Sequence, residues 1–284
     1  MPELPDLEII LRKLEIEIKG ATIIDAQLLE PLILRMMVLG DFTEILAGKR
    51  IGAISRHGPF LVFTLEKIEL VVHCMLAGAF QVVKNESKAL SYLAFSLLMD
   101  NGNTLNFGDR KRMAKVYVVP SGDYENISGF LTQGVDILSS DFTFEKFLSL
   151  IRGRRNQTRV FIMDQSLISA VGNAYADEIL FNAGIHPKTL CSVLSEEDKK
   201  KLYKSIREVI SWGTEEVKKA GKPIEKKVRS HVRVRNRKGE RCFVCGTIIR
   251  RTQVHGYDSF FCPACQPAKG KQFISWDLKS LSND

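Results

Sequence analysis

The sequence predicts an α+β protein: an N-terminal antiparallel β-sandwich preceded by one helix, then a helical region, then a β-hairpin zinc ribbon. Three observations predict it. Short β-branched and aromatic runs, separated by turn signals, fill residues 21–120. Helical periodicity replaces them after Phe142. Near the C-terminus, Cys242, Cys245, Cys262 and Cys265 form two CxxC pairs with 16 residues between the inner two.

The first helix is expected over residues 7–19. Leu7, Ile10, Leu11, Leu14 and Ile18 fall on one stripe, with Arg12, Lys13, Glu15 and Glu17 off it. Pro5 and Asp6 suit its first turn and Gly20 its stop. The β runs are Thr22–Leu29, Ile51–Leu65, Leu70–Val83, Tyr92–Met99 and Val116–Val119, punctuated by turns such as Asp100-Asn101-Gly102. Helices follow at Phe144–Ile151 and Tyr175–Ala183. Ser195-Glu196-Glu197-Asp198 resembles a capping box with Asp in the Glu position, opening a helix that carries Leu202, Ile206, Val209 and Ile210. Ala220-Gly221-Lys222-Pro223 ends that helix. Domains are expected at 1–130, 131–225 and 226–284, the first boundary falling where Ser121-Gly122-Asp123 and Gly134 loosen the pattern.

Each CxxC pair sets two thiolates on one tight turn, and two such turns complete an all-sulfur tetrahedral site for structural Zn2+. In an oxidising compartment the same cysteines would be disulfides, but nothing in the sequence points outside the cell. Residues 226–241 carry eight Lys or Arg against one acid, Glu240. A metal-pinned hairpin in such a field is most simply a nucleic-acid contact.

The bulk numbers agree. A length of 284 residues suggests two domains with real cores. Hydrophobic and charged fractions of 45% and 26% are those of a globular protein. A net charge of +8 and a pI of about 9.1 favour a polyanionic partner. No apolar run approaches the roughly 20 residues of a membrane span. The acidic start, Met1 to Asp6, is unlike a signal peptide. Cys74 and Cys191 lie in apolar contexts and read as reduced core residues. The expected location is cytoplasmic, associated with the nucleoid.

Met1-Pro2 invites removal of the initiator methionine, which would expose a secondary amine at Pro2. An α-amino group titrates near pH 8, so a fraction is neutral and nucleophilic at pH 7. Glu3 is the adjacent acid or base. The plainer alternative is a rigid start to the first helix.

Several segments together resemble one family. Pro2-Glu3-Leu4-Pro5-Asp6-Leu7-Glu8 resembles the PELPEVE start of the formamidopyrimidine-DNA glycosylase/endonuclease VIII family. Val171 to Glu178 resembles its GVGNIYASE segment, Ala183 to Pro187 its AGIHP, and the ribbon ending Cys262-Pro263-Ala264-Cys265-Gln266 its zinc finger. The resemblance implies a β-sandwich, a helix–two-turn–helix region and a zinc hairpin. It also implies a DNA repair glycosylase with abasic-site lyase activity on double-stranded damaged DNA, acting on flipped-out, oxidised bases; a monomer is the default expectation for a protein that wraps a duplex. Pro2 matches the nucleophile that attacks C1′ and leads to β,δ-elimination, and Glu3 the adjacent acid. Asn173 matches a phosphate-binding Asn at a helix start, with a plain N-cap as the alternative. Arg112 matches a phosphate-contacting Arg. Arg159 matches a basic residue that meets the backbone, with a solvated surface Arg as the alternative.

Departures from the family pattern fall at functional positions. A phosphate-binding Lys is Pro59 here, with Arg56 or His57 as the nearest substitutes. The wedge Met is Leu76, which remains an apolar wedge or else a core residue. Lys111 stands for an Arg that probes the orphaned base, and Met113 for an intercalating Phe. Tyr257 occupies the DNA-facing position of the finger Arg, with Arg250, Arg251 and His255 nearby. Residues 228–242 are too compact for the long loop that caps 8-oxoguanine in the purine-specific branch. Loss of two cations leaves a second reading open: a damaged-DNA-binding relative with weak or no glycosylase activity.

Overall fold

The computed structural model describes residues 1–84 and 89–269. The chain divides into two compact units, one of residues 1–134 with 211–230, the other of residues 135–210 with the segment from His231 onward.

The first unit opens with α1 (Leu4–Ile18), whose buried stripe is Leu4, Leu7, Ile10, Leu14 and Ile18. Glu3 is its N-cap and Pro5 sits in the first turn, as a residue without an N–H can. Then come β1 (Ile23–Leu28), β2 (Leu34–Met36), α2 (Phe42–Leu46), β3 (Ile54–His57), β4 (Phe60–Leu65), β5 (Ile68–His73), β6 (Ala79–Lys84), β7 (Leu93–Met99), β8 (Asn103–Gly108) and β9 (Lys115–Pro120). They form a four-stranded sheet, β1-β7-β8-β6, and a five-stranded sheet, β2-β9-β5-β4-β3. Phe63 and Phe80 meet across the two sheets at 5.8 Å, and Phe80, Phe107 and Phe95 continue the aromatic core. The sandwich is antiparallel except where β2 pairs parallel to β9.

Two expected runs each resolve into two strands. Ile51–Leu65 folds back at Gly58-Pro59, pairing β3 with β4, and Leu70–Val83 breaks after His73. Strands β4 and β5 lack the alternation that would have set them off from β3 and β6, because both their faces are covered. Phe60, Val62, Val71, Tyr117 and Val119 pack beneath Ile127 and Phe130, while the alternate residues face the sandwich interior. Strand β8 was not expected because it carries two buried asparagines. Asn106 accepts from Ser96 Oγ at 2.9 Å, and Asn103 donates to Glu17 O at 2.6 Å, closing the end of α1.

The second unit contains α3 (Phe144–Ile151), α4 (Thr158–Met163), α5 (Asn173–Ala183), the first part of α6 (Glu196–Lys219), and the hairpin of β10 (Arg250–Val254) with β11 (Tyr257–Phe261). The capping box is present: Ser195 Oγ accepts from Asp198 N at 3.1 Å and Asp198 Oδ2 accepts from Ser195 N at 3.1 Å. Helix α5 stops at Gly184, whose φ of +68° is the left-handed cap that glycine adopts without strain. The architecture is the α+β arrangement read from the sequence, with a helical region and a β-hairpin cysteine ribbon. Among the described residues no helix is long and apolar enough to cross a membrane.

Gly78 closes the turn between β5 and β6, with its N–H bonded to Cys74 O at 2.8 Å. A Cβ there would lie 2.5 Å from that carbonyl and 2.8 Å from Phe107 Cζ, so backbone must shift. Gly78→Ala is expected to lower unfolding free energy by about 1–3 kcal/mol, the usual range for overpacking. Urea denaturation followed by fluorescence checks it; an unchanged midpoint means the turn relaxes without cost.

Candidate active site and nucleic-acid interface

The N-terminus of the first unit lies in a cleft of about 390 Å³ whose lining includes Pro2, Asp6, Leu76, Lys111 and Lys227. Pro2 and Glu3 are both buried. Their position follows from the helix cap: Asp6 Oδ2 accepts from Glu3 N at 2.8 Å, in a reciprocal box with the Glu3 side chain. Asp6 is itself gripped at both oxygens by Arg229, at 2.8 and 2.5 Å. The chain's amino group donates to Leu76 O at 2.9 Å, and Lys227 Nζ donates to the same oxygen at 3.1 Å. Burial, helped by the Lys227 cation, holds the Met1 amine down to about 5.

Two loops of this unit present the other expected DNA-facing residues. Leu76 is 49% exposed on the turn after β5 and is not a core residue. His73 Nδ1 accepts from Met75 N at 3.0 Å and so fixes that turn, in which Met75 takes φ +47°. Burial holds His73 down to about 4, so the ring stays a neutral acceptor at working pH. After β8, buried Asp109 accepts from the backbone N–H groups of Lys111, Met113 and Ala114 at 2.7–3.0 Å. Those bonds shape the loop and leave Lys111, Arg112 and Met113 exposed. Arg112 is paired with Glu30 at 2.6 Å.

In the second unit, Arg159 is not a solvated surface residue; it is 1% exposed. Its Nε donates to Asp177 Oδ1 at 3.0 Å, and its Nη2 donates to Asn173 Oδ1 at 2.7 Å and Asp258 O at 3.1 Å. A guanidinium on helix α4 is buried here because a carboxylate on α5 meets it. Asn173 is the first residue of α5 rather than its N-cap, which is Gly172. Asp177 also accepts from Arg235 Nη1 at 2.8 Å, Ser259 Oγ at 2.7 Å and Phe260 N at 3.2 Å. The next residue, Glu178, accepts from the backbone N–H groups of Arg233, Val234 and Arg235 at 2.8–3.0 Å. Burial raises its pKa, and those three donors oppose the shift. Tyr257 is 57% exposed at the start of β11, after a turn in which His255 and Gly256 both have positive φ. Of its basic neighbours, Arg251 is paired with Asp258 at 3.2 Å.

The four ribbon cysteines bring their sulfurs within 4.8 Å of one another. Separations of 3.4, 3.5 and 3.9 Å are too long for disulfides, whose S–S is about 2.05 Å. They bracket the roughly 3.8 Å edge of a tetrahedron with Zn–S near 2.3 Å. The Cys245 thiol is pulled down to about 6, chiefly by hydrogen bonding to the Thr247 side chain, whereas burial raises Cys262 and Cys265. A dication among them favours thiolate at all four. The donor set therefore fits structural Zn2+. Cys74 and Cys191 are buried free thiols, pushed up by burial to about 12 and about 11.

Neither expected substitute for the cation lost at Pro59 is available for that role. Arg56 donates to Glu8 Oε1 at 2.7 Å and to Gly58 O at 3.1 Å. His57 stacks on Phe130 at 4.3 Å with Nε2 bonded to Phe130 O. Nothing in the sequence singles out Asp6, Arg229, Lys227, Asp177 or Arg235 as site residues. Asp177 and Glu178 stand inside a segment notable for its family likeness, and the eight-cation run holds Lys227, Arg229 and Arg235, but no spacing separates a buried clamp from a solvated charge.

Comparison with known proteins accounts for nearly the whole chain. Residues 1–116 match the formamidopyrimidine-DNA glycosylase N-terminal domain, residues 133–223 the formamidopyrimidine-DNA glycosylase H2TH domain, and residues 239–268 the zinc finger found in FPG and IleRS. The formamidopyrimidine-DNA glycosylase of Pelotomaculum thermopropionicum is 30% identical over 276 residues, covering 95% of this chain and 100% of that one. That of Bacillus cereus is 29% identical, covering 94% and 99%. Among solved structures, the Lactococcus lactis Fpg in complex with DNA containing an abasic site superposes with a TM-score of 0.82 at 26% identity, covering 94% of this chain and all of that one. The MutM (FPG) protein of Thermus thermophilus gives 0.80 at 29% identity, covering 95% and 100%. The cysteine cluster and the zinc-finger match agree on structural Zn2+. Three domain matches in chain order, and relatives alike along their full length, establish that this chain belongs to the formamidopyrimidine-DNA glycosylase family.

Proposed function

We propose that this chain, a DNA repair glycosylase by family, excises damaged and chiefly oxidised bases from double-stranded DNA and then cleaves the strand as an abasic-site lyase through Pro2, working as a monomer. The observation that carries the reading is Pro2 in the same cleft as Leu76 and Lys111, at a chain start where burial holds the preceding Met1 amine down to about 5. Removal of Met1 makes Pro2 the terminus. Its secondary amine forms a bond to C1′ as the glycosidic bond breaks and the base leaves with a proton. Loss of the ring oxygen bond leaves an iminium, which acidifies the C2′ hydrogens, so a base removes one and the C3′–O bond breaks; a second elimination releases the 5′ phosphate.

Glu3 is the carboxylate nearest that nitrogen in sequence and is held in the helix cap beside it, which suits it to act as the adjacent acid or base. Leu76 is the apolar wedge for the vacated stack, and Lys111 reads the partner strand through a point charge rather than a fork. Asn173 takes a backbone phosphate. Arg159 supports it by occupying the amide oxygen, which leaves the amide N–H groups as the donors that a phosphate requires. Arg112 exchanges Glu30 for phosphate, and Tyr257 contacts the strand from the finger. The three proposed domains, 1–130, 131–225 and 226–284, then carry the chemistry, the phosphate contact and the finger. Absence of a long capping loop favours oxidised pyrimidines and abasic sites over 8-oxoguanine.

Borohydride trapping on abasic-site DNA tests the nucleophile. The processed protein is expected to give a covalent adduct that Pro2→Gly lowers by about 10³-fold or more, with DNA affinity kept within a few fold. Tight binding without any adduct would instead support the binding-only relative.

Metal removal gives a second prediction. The ribbon core is small, comprising Phe181, Val234, Ile249 and Phe260 around Cys242 and Cys262. Chelation or Cys242→Ser should release one zinc per chain and weaken duplex binding by at least about tenfold, because the site's binding energy is folding energy. Metal analysis and fluorescence anisotropy read both; unchanged affinity with zinc gone removes the finger from the interface.

A further inference from the structure

The cleft around the N-terminus holds more positive charge than its chemistry obviously needs. Arg110, Lys111, Lys222, Lys226 and Lys227 line it, against the carboxylates of Asp6 and Glu225. Among these cations, Lys227 is the one that shares an acceptor with the amino group of Met1, the residue before Pro2: both donate to Leu76 O, at 3.1 and 2.9 Å. The two nitrogens converge on one carbonyl, and two positive charges so close repel.

We propose that Lys227 is a positioning residue for the Pro2 nucleophile, supplying beside the amine the cation that Pro59 does not. This deepens the Pro2 reading and rests on it. Geometry carries the assignment. Lys227 comes from the basic segment, two residues before Arg229, whose guanidinium holds both Asp6 oxygens. That bidentate grip fixes the segment against the start of α1 and gives Lys227 its place above Leu76 O. Arg229 also takes up much of the negative field of Asp6, which would otherwise favour a protonated amine.

The remaining groups near the amine do not cancel Lys227. At the Met1 amine, Glu3 and Asp6 favour the charged form, but burial and Lys227 outweigh them. His73 is neutral, held down by burial and by the Lys115 charge. The Cys74 thiol is pushed up by burial and stays uncharged at neutral pH. Asp109 directs its oxygens to the backbone of its own loop. Arg110, Lys111, Lys222 and Lys226 act in the same direction as Lys227, and Glu225 against it, none with a hydrogen bond to Leu76 O. Once Met1 is removed, the new terminus still lines the cleft that Lys227 lines.

The sign is fixed by the like charge. A like charge beside Pro2 acts on its amine as Lys227 acts on that of Met1, favouring the neutral form; removing the charge raises the pKa and moves the acid limb of the reaction to higher pH. The test titrates Pro2 directly by NMR in full-length, Met1-free protein carrying isotope-labelled proline. The chain has nine prolines, so the Pro2 signal is identified by its absence from Pro2→Gly. Lys227→Gln, which keeps an N–H for Leu76 O but no charge, is expected to raise the midpoint by about one pH unit at low salt, and by less at 1 M salt. Lys227→Arg should leave it within a few tenths of wild type. The acid limb of single-turnover trapping on abasic-site DNA should move with the midpoint. An unchanged midpoint in Lys227→Gln overturns the proposal, as does an equal shift in Lys227→Arg. The titration needs no turnover: if trapping fails while the midpoint still responds to Lys227, the lyase reading falls and the electrostatic assignment stands.

Discussion

Two adjacent carboxylates, Asp177 and Glu178 on α5, hold the second unit together. Glu178 accepts three consecutive backbone N–H groups from 233–235, a segment without helix or strand that would otherwise leave buried donors unpaired. Asp177 gathers two guanidiniums, a hydroxyl and a strand N–H. A buried carboxylate surrounded so completely is favourable only because every lone pair is used, and losing one partner of such a set costs about 3–5 kcal/mol. The clamp joins α4, α5, the basic segment and β11. Its position four residues after Asn173 means that the start of α5, the zinc hairpin and the basic run are braced by one set of hydrogen bonds.

That arrangement explains why Arg159 behaves unlike a surface cation. With Nε on Asp177 and Nη2 shared by Asn173 and a hairpin carbonyl, its charge is largely neutralised, and what it fixes is the orientation of the Asn173 amide. Arg235 repeats the pattern, bonding Asp177 and Asp258 O while stacking on Phe260 at 5.1 Å. Counting cations in residues 226–241 therefore overstates the charge available to DNA: Arg229 is tied to Asp6, Arg235 to Asp177 and Arg237 to Glu240.

The sequence was most legible where chemistry needs rare residue types at fixed spacing. Two CxxC pairs specified the zinc ribbon, and the segments at 2–8 and 171–187 specified the family. The helix at Phe144–Ile151 and the Ser195–Asp198 box were readable because capping uses local residues. Breaks inside the long apolar runs were not separable, β3 merging with β4 and β5 with β6, since β4 and β5 lack alternation, and β8 hid behind Asn103 and Asn106, whose polarity is offset by partners in other elements. Long-range ion pairs were beyond reach for the same reason. Arg229 and Asp6 are 223 positions apart, and nothing local in either segment marks the other.

The departures at Pro59 and Tyr257 look, on sequence, like an enzyme losing its grip on phosphate. The cleft argues for redistribution instead. A cation matters to this chemistry in two ways: by attracting phosphate, which any lysine on the rim does, and by keeping a secondary amine unprotonated, which only a charge beside that amine does. On the proposal made for Lys227, which shares Leu76 O with the Met1 amine, it meets the second requirement, while Lys111 and Lys222 line the same cleft. Proline at 59 is tolerable in this setting because its hairpin is already secured by Arg56 on Glu8 and by His57 against Phe130.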